Sequence, residues 1–167
     1  DRIVHFASRN AFNIEGLSDK TVEAFYDVLG LRNTSDLFTL TESDLQKLDN
    51  FKEKKASNII TSIQNSKNID FSRFLFALGI PEVGVKTAKD LARKYHSIQE
   101  ISLADKDGLL EIEDIGEVIA DNIITFFQDR GNIEEINQLF EKGVRLQQAE
   151  QKQANDKIAG KTFVLTG

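Results

Sequence analysis

The chain repeats itself, and the repeat restricts its fold more than any other feature. Sliding it by 64 residues lays Glu53, Ala56, Asn58, Ile59, Ile60 and Thr61 on Glu117, Ala120, Asn122, Ile123, Ile124 and Thr125, six identities in a window of nine. A slide of 66 lays Ile14, Lys20 and Thr21 on Ile80, Lys86 and Thr87. A period of this size marks a supersecondary unit that buries its apolar face against a neighbour. The chain therefore holds two copies of a paired unit, over residues 12–66 and 77–130.

The units are helical. Val22, Phe25, Tyr26 and Leu29 stand at three- and four-residue spacing, as do Ala56, Ile59, Ile60 and Ile63. Ala88, Leu91, Ala92 and Tyr95 follow the same spacing, then Ile119, Ile123, Phe126 and Phe127. Such stripes predict amphipathic helices of about three to four turns. Thr41 with Asp44 reads as a capping box in which Asp replaces the usual Glu. Ile133, Ile136, Leu139 and Phe140 predict a closing helix, ended by Gly143. No alternating strand is expected before Thr162. The expected class is all-α, with a first paired unit at 1–66 and a second, including the closing helix, at 67–146. A polar, Gln-rich linker is expected at 147–159, then a truncated strand at 160–167. The opening Asp1-Arg2-Ile3 reads as an excision from something longer.

Between the helices, four short connections share one pattern: apolar, two turn residues, apolar, then a small or polar residue. They are Ile14-Glu15-Gly16-Leu17-Ser18, Leu48-Asp49-Asn50-Phe51-Lys52, Ile80-Pro81-Glu82-Val83-Gly84 and Ile112-Glu113-Asp114-Ile115-Gly116. This is the helix-hairpin-helix motif, which holds DNA without reading its sequence. The hairpin aims unpaired N–H groups of its second helix at a phosphate, along the positive end of the helix dipole. Glycine at the first turn position permits a left-handed backbone, and glycine at the second lets a phosphate come close. A single such hairpin is more often only a connection; four in a duplicated array point to DNA.

The hairpins rank by their residues. The third combines Gly84 with Lys86, Thr87 and Lys89, and is the expected phosphate site. Next is the first, with Gly16, Ser18, Lys20 and Thr21. The second has no glycine but offers Asn50, Lys52, Lys54 and Lys55 as side-chain contacts. The fourth has Gly116 followed by Glu117, Val118 and Ile119, and in its acidic setting is expected to be the weakest or purely structural. At the first turn position, Asn50 and Asp114 tolerate left-handed geometry better than Glu82.

Composition sets limits around this reading. With no cysteine there is no disulfide framework, thiolate zinc site or cysteine nucleophile, which fits a reducing cytosol. No apolar run approaches the roughly 20 residues of a membrane span. His5 and His96 are isolated, as surface or partly packed residues rather than metal ligands, and Phe71, Phe74 and Leu75 read as core. Gly160-Lys161-Thr162 mimics the end of a phosphate-binding loop, but Asn155 stands where its first glycine belongs. The net charge of −6 predicts modest affinity for isolated DNA.

The chain closely resembles the NAD-dependent DNA ligases of bacteria. The resemblance is carried by His5-Phe6-Ala7-Ser8-Arg9-Asn10-Ala11 running into Asn13-Ile14-Glu15-Gly16-Leu17, and by Leu75-Phe76-Ala77-Leu78-Gly79-Ile80 with Val83-Gly84. Lys86-Thr87-Ala88 and the closing Gly160-Lys161-Thr162-Phe163-Val164-Leu165-Thr166-Gly167 match too. It implies a helix-hairpin-helix region between a zinc module and a BRCT domain whose first strand is 160–167. It further implies a whole enzyme that uses NAD, with Mg and Zn, to seal nicks in DNA replication and repair. No catalytic residue, metal or cofactor is then expected in this stretch. The expected partners are nicked double-stranded DNA and the other domains of the same chain, not a membrane. The expected state is a monomer in the bacterial cytoplasm. Two rival readings exist: a dimerisation scaffold of a repair protein, favoured by the negative charge, and a base-excision glycosylase, which lacks a pocket signature here.

Overall fold

The computed structural model describes residues 2–49 and 51–147. Helices α1 (Arg2–Ala7) and α2 (Asp19–Leu29) flank the first hairpin. A 3-10 helix (Thr34–Thr39) leads to α3 (Glu42–Leu45) and α4 (Glu53–Asn65), which flank the second. Strand β1 (Asn68–Asp70) opens the second copy, and α5 (Phe71–Ala77) and α6 (Val85–Lys94) flank the third hairpin. Beyond α7 (Ile98–Ser102), α8 (Lys106–Leu110) and α9 (Glu117–Gln128) flank the fourth. Helix α10 (Arg130–Glu141) and strand β2 (Arg145–Gln147) complete the fold.

The spaced apolar residues form the buried faces: Val22 and Phe25 in α2, Ala56, Ile59 and Ile63 in α4, Ala88 and Leu91 in α6. Ala120, Ile123 and Phe127 do so in α9, and Ile136 and Leu139 in α10. The polar punctuation also acts as expected. Thr41 Oγ1 accepts from the Asp44 N–H (3.1 Å) while the Asp44 carboxylate accepts from the Thr41 N–H (3.1 Å), a reciprocal capping box. Past α10, Gly143 at φ +104 lets the Val144 N–H reach Leu139 O and its own N–H reach Phe140 O, a Schellman ending.

Two strands depart from the expectation that none precedes Thr162. β1 and β2 pair in parallel, Asn68 with Arg145, Ile69 with Leu146 and Asp70 with Gln147. At three residues each they are too short to show an alternating pattern, and their partnership is between distant segments. Gln147, expected to open the linker, instead ends β2. The remainder of the expected linker and the truncated strand, 148–167, lie outside the described residues, as do Asp1 and Asn50.

The core crosses the boundary between the copies. Phe6 stacks on Phe12 at 4.0 Å between ring centroids, Phe12 meets Phe74 edge-on at 6.1 Å, and Phe74 stacks on Phe140 at 5.7 Å. Phe71, Phe74 and Leu75 are fully buried, as read from the sequence. A polar seam runs alongside. Thr34 and Ser35, both buried on the 3-10 helix, donate to Glu135 and Gln138 of α10, and Arg2 pairs with Glu135 at 3.0 Å. Arg73 of α5 donates to the carbonyls of Ala11 (3.1 Å) and Arg9, holding the segment that leads into the first hairpin.

Candidate nucleic-acid interface

The residue that opens the second helix of each hairpin has nearly the same backbone in all four. Ser18 stands at φ −85 and ψ 169, Lys52 at −87 and 171, Gly84 at −90 and −171, Gly116 at −93 and −171. Turn hydrogen bonds tighten the loops before them, from Phe51 N–H to Leu48 O (3.3 Å), Val83 to Ile80 (3.1 Å) and Ile115 to Ile112 (3.0 Å). The fold thus presents four equivalent helix N-termini and fills them with different residues.

At the first turn position the structure corrects the expected order of tolerance. Glu82 takes φ +70, whereas Asp114 is not left-handed. A positive φ at the third residue of a turn marks type II geometry, which favours Pro just before it, and Pro81 stands there. In the first hairpin Gly16 takes φ +92, and a Cβ there would lie 3.1 Å from Ile59 Cγ1. Gly16 is therefore required by the fold itself.

Gly84 and Gly116 are different. Their φ values suit any residue, and a Cβ on either would meet nothing within 4 Å. Neither conformation nor internal packing explains these glycines. Among the described residues no side chain caps α4, α6 or α9, so the first N–H groups of these helices are open to an outside acceptor. By contrast α2 is capped from within: Ser18 Oγ accepts from the Thr21 N–H at 3.3 Å, and the two hydroxyls lie 3.1 Å apart. Thr21 is buried and Thr87 half-buried, whereas Gly16, Ser18, Lys20 and Gly84 are exposed.

The lysines divide likewise. Lys20, Lys52, Lys54 and Lys89 are exposed, and none makes an ion pair among the described residues. Lys55 is exposed too, with its ammonium 4.4 Å from the centre of the Phe51 ring, within cation–π range. Lys86 is engaged by two carboxylates, Asp114 of the fourth hairpin and Asp90 of its own helix (3.0 Å). The hydrogen bonds it donates to Asp114 and then to Asp90 hold its pKa up, to about 12. Around the fourth hairpin, Lys106 pairs with Glu117 (3.1 Å) and Asp121 (3.2 Å), and Lys94 with Glu111 (2.8 Å). That hairpin remains acidic, as its sequence indicated.

Sequence reasoning missed Asn122, whose side-chain amide donates to Pro81 O at 3.0 Å and ties α9 to the third hairpin. The signal was present, because Asn122 is one of the polar identities that the repeat retains among apolar ones.

Residues 9–65 match the family described as a SAM-like helix-hairpin-helix tandem, and 73–136 match the helix-hairpin-helix motif family. Over 99% of its length the chain is 45% identical to a DNA ligase of Finegoldia magna, 44% to DNA ligase 2 of Clostridium acetobutylicum and 45% to a DNA ligase of Clostridium tetani. It spans about a quarter of the length of these relatives (25% of each). Two hairpin-family matches, one on each copy of the repeat, together cover most of the chain and make it a helix-hairpin-helix tandem, similar over nearly its whole length to a quarter of the length of bacterial DNA ligases.

Proposed function

We propose that this region grips double-stranded DNA by its phosphates, near a nick and without regard to sequence, as part of an NAD-dependent DNA ligase acting in replication and repair. The observation that carries the reading is the pair of glycines at Gly84 and Gly116. Each opens an uncapped helix, and in each the missing Cβ faces open space rather than the protein. An anion seated there accepts backbone N–H bonds and meets the positive end of the helix dipole. Gly84 leads, because Thr87 and Lys89 follow it, whereas Glu117 stands beside Gly116. Lys20 at the first hairpin and Lys52, Lys54 and Lys55 at the second add cations, with Asn50 in the second turn.

Nick sealing itself belongs to the whole enzyme in the cytoplasm, with its NAD, Mg and Zn; no residue of this chain is assigned to those groups or to catalysis. The region acts as a monomer beside the other domains of its own chain. The test is the affinity of the chain for a nicked duplex over a salt series. Phosphate contacts give a log K that falls linearly with log salt; binding that ignores salt, or none at low salt, counts against the reading.

A second reading has one observation in its favour. Val118 (67% exposed) stands in the first turn of α9 at the acidic fourth hairpin, and Leu103 (84%) is exposed at the end of α7, apolar surface suited to protein contact rather than to phosphate. A salt-independent self-association in sedimentation experiments is what that reading requires.

A further inference from the structure

The repeat allows each charged side chain to be compared with its counterpart. Lys86 falls on Lys20, Asp90 on Ala24 and Asp114 on Asn50. In the second copy Lys86 is held between Asp90 and Asp114. The first copy has a carboxylate at neither place, and Lys20 is exposed with no ion pair among the described residues. The capping is reversed: Ser18 closes the helix N-terminus beside Lys20, while Gly84 leaves the one beside Lys86 open.

We infer that these two equivalent lysines do different work: Lys20 meets a DNA phosphate as a free cation, while Lys86 ties the fourth hairpin to α6 and leaves phosphate to the backbone N–H groups at Gly84. The inference rests on the DNA-gripping reading. The counterions condensed on DNA leave where a protein cation neutralises a phosphate; a cation already neutralised by protein carboxylates displaces none, so it adds nothing to the salt dependence of binding. Lys86 is in this sense a positioning residue. With the Asn122–Pro81 hydrogen bond, its contact to Asp114 sets the third and fourth hairpins against each other.

The experiment is the slope of log K against log salt for this chain on a labelled nicked duplex. Lys20→Gln flattens the slope by about 0.9, the value for one phosphate contact on B-form DNA. Lys86→Gln leaves it unchanged. Asp90→Ala combined with Asp114→Asn gives the second copy the residues of the first and steepens the slope by about the same amount; adding Lys86→Gln removes that gain, which separates the freed Lys86 from Arg93, the other cation that Asp90 holds. Circular dichroism confirms that each variant is folded, and Asp114→Asn alone steepens the slope in the same direction if the double variant does not fold. Equal flattening by Lys86→Gln and Lys20→Gln, or no steepening once the carboxylates are gone, overturns the inference and leaves the DNA-gripping reading intact. Wild-type binding without salt dependence overturns both.

Discussion

Gly16 faces Ile59 so closely that a Cβ on Gly16 would lie 3.1 Å from the isoleucine Cγ1. The first hairpin is thereby seated on α4, with the left-handed φ of +92 aiming the turn. Gly16→Ala forces both a disfavoured backbone and a displaced Ile59 side chain. The expected cost is about 1–3 kcal/mol, read as a lower midpoint in urea unfolding. An unchanged midpoint would show that the hairpin does not depend on this contact.

Gly84 behaves in the opposite way. Its backbone is that of an ordinary N-cap, with open space where a side chain would point. Gly84→Ser copies the first hairpin, where Ser18 caps α2, and should raise stability by roughly a few tenths of a kcal/mol. Gly84→Asp caps as well, but sets a carboxylate where a phosphate would approach. Binding to a nicked duplex should then weaken by about 1–3 kcal/mol, equally for every DNA sequence. A loss confined to some sequences, or no loss, speaks against a phosphate seat at Gly84.

Glu135 joins the ends of the fold through one carboxylate. It accepts from the Thr34 hydroxyl and N–H and pairs with Arg2. Removing it by Glu135→Ala leaves the buried Thr34 without its acceptor, at a cost of about 1–3 kcal/mol. Thr34→Val, which takes away the donor as well, should restore part of the loss. Double-mutant analysis of the unfolding free energies decides it.

Phe74 sits between a ring of the first copy and one of the closing helix. Phe74→Ala should cost about 3–5 kcal/mol. Because its ring contacts span the boundary between the copies, unfolding should remain one transition by calorimetry rather than separate into two. Two resolved transitions would mean that the copies fold independently.

Much of this architecture is visible in the sequence, for reasons of length. Helices such as α2, α4 and α10 run for 11 to 13 residues, enough positions to show a helical period. The Thr41–Asp44 box and the Gly143 ending were equally readable, since their partners lie within a few residues of each other. Strands β1 and β2 were not. Each centres on one apolar residue, Ile69 or Leu146, and neither carries a mark of its distant partner. The site was legible to the same degree. Glycine positions and loop pattern could be read, but the engagement of Lys86 could not, because Asp114 lies 28 residues away on another hairpin. The backbone preference at Glu82 was misjudged because residue type was weighed without the turn type that Pro81 favours.

The parallel ribbon has a consequence for the order in which the molecule is assembled. Ile69 and its strand are made early, but their hydrogen-bonding partner is Arg145–Gln147. On a ribosome adding about 5–20 residues per second, that strand edge waits on the order of several seconds before its partner emerges. Over that interval the polypeptide carries an unsatisfied template for strand pairing. Its brevity, at three residues, limits the hazard of capturing a strand from another chain.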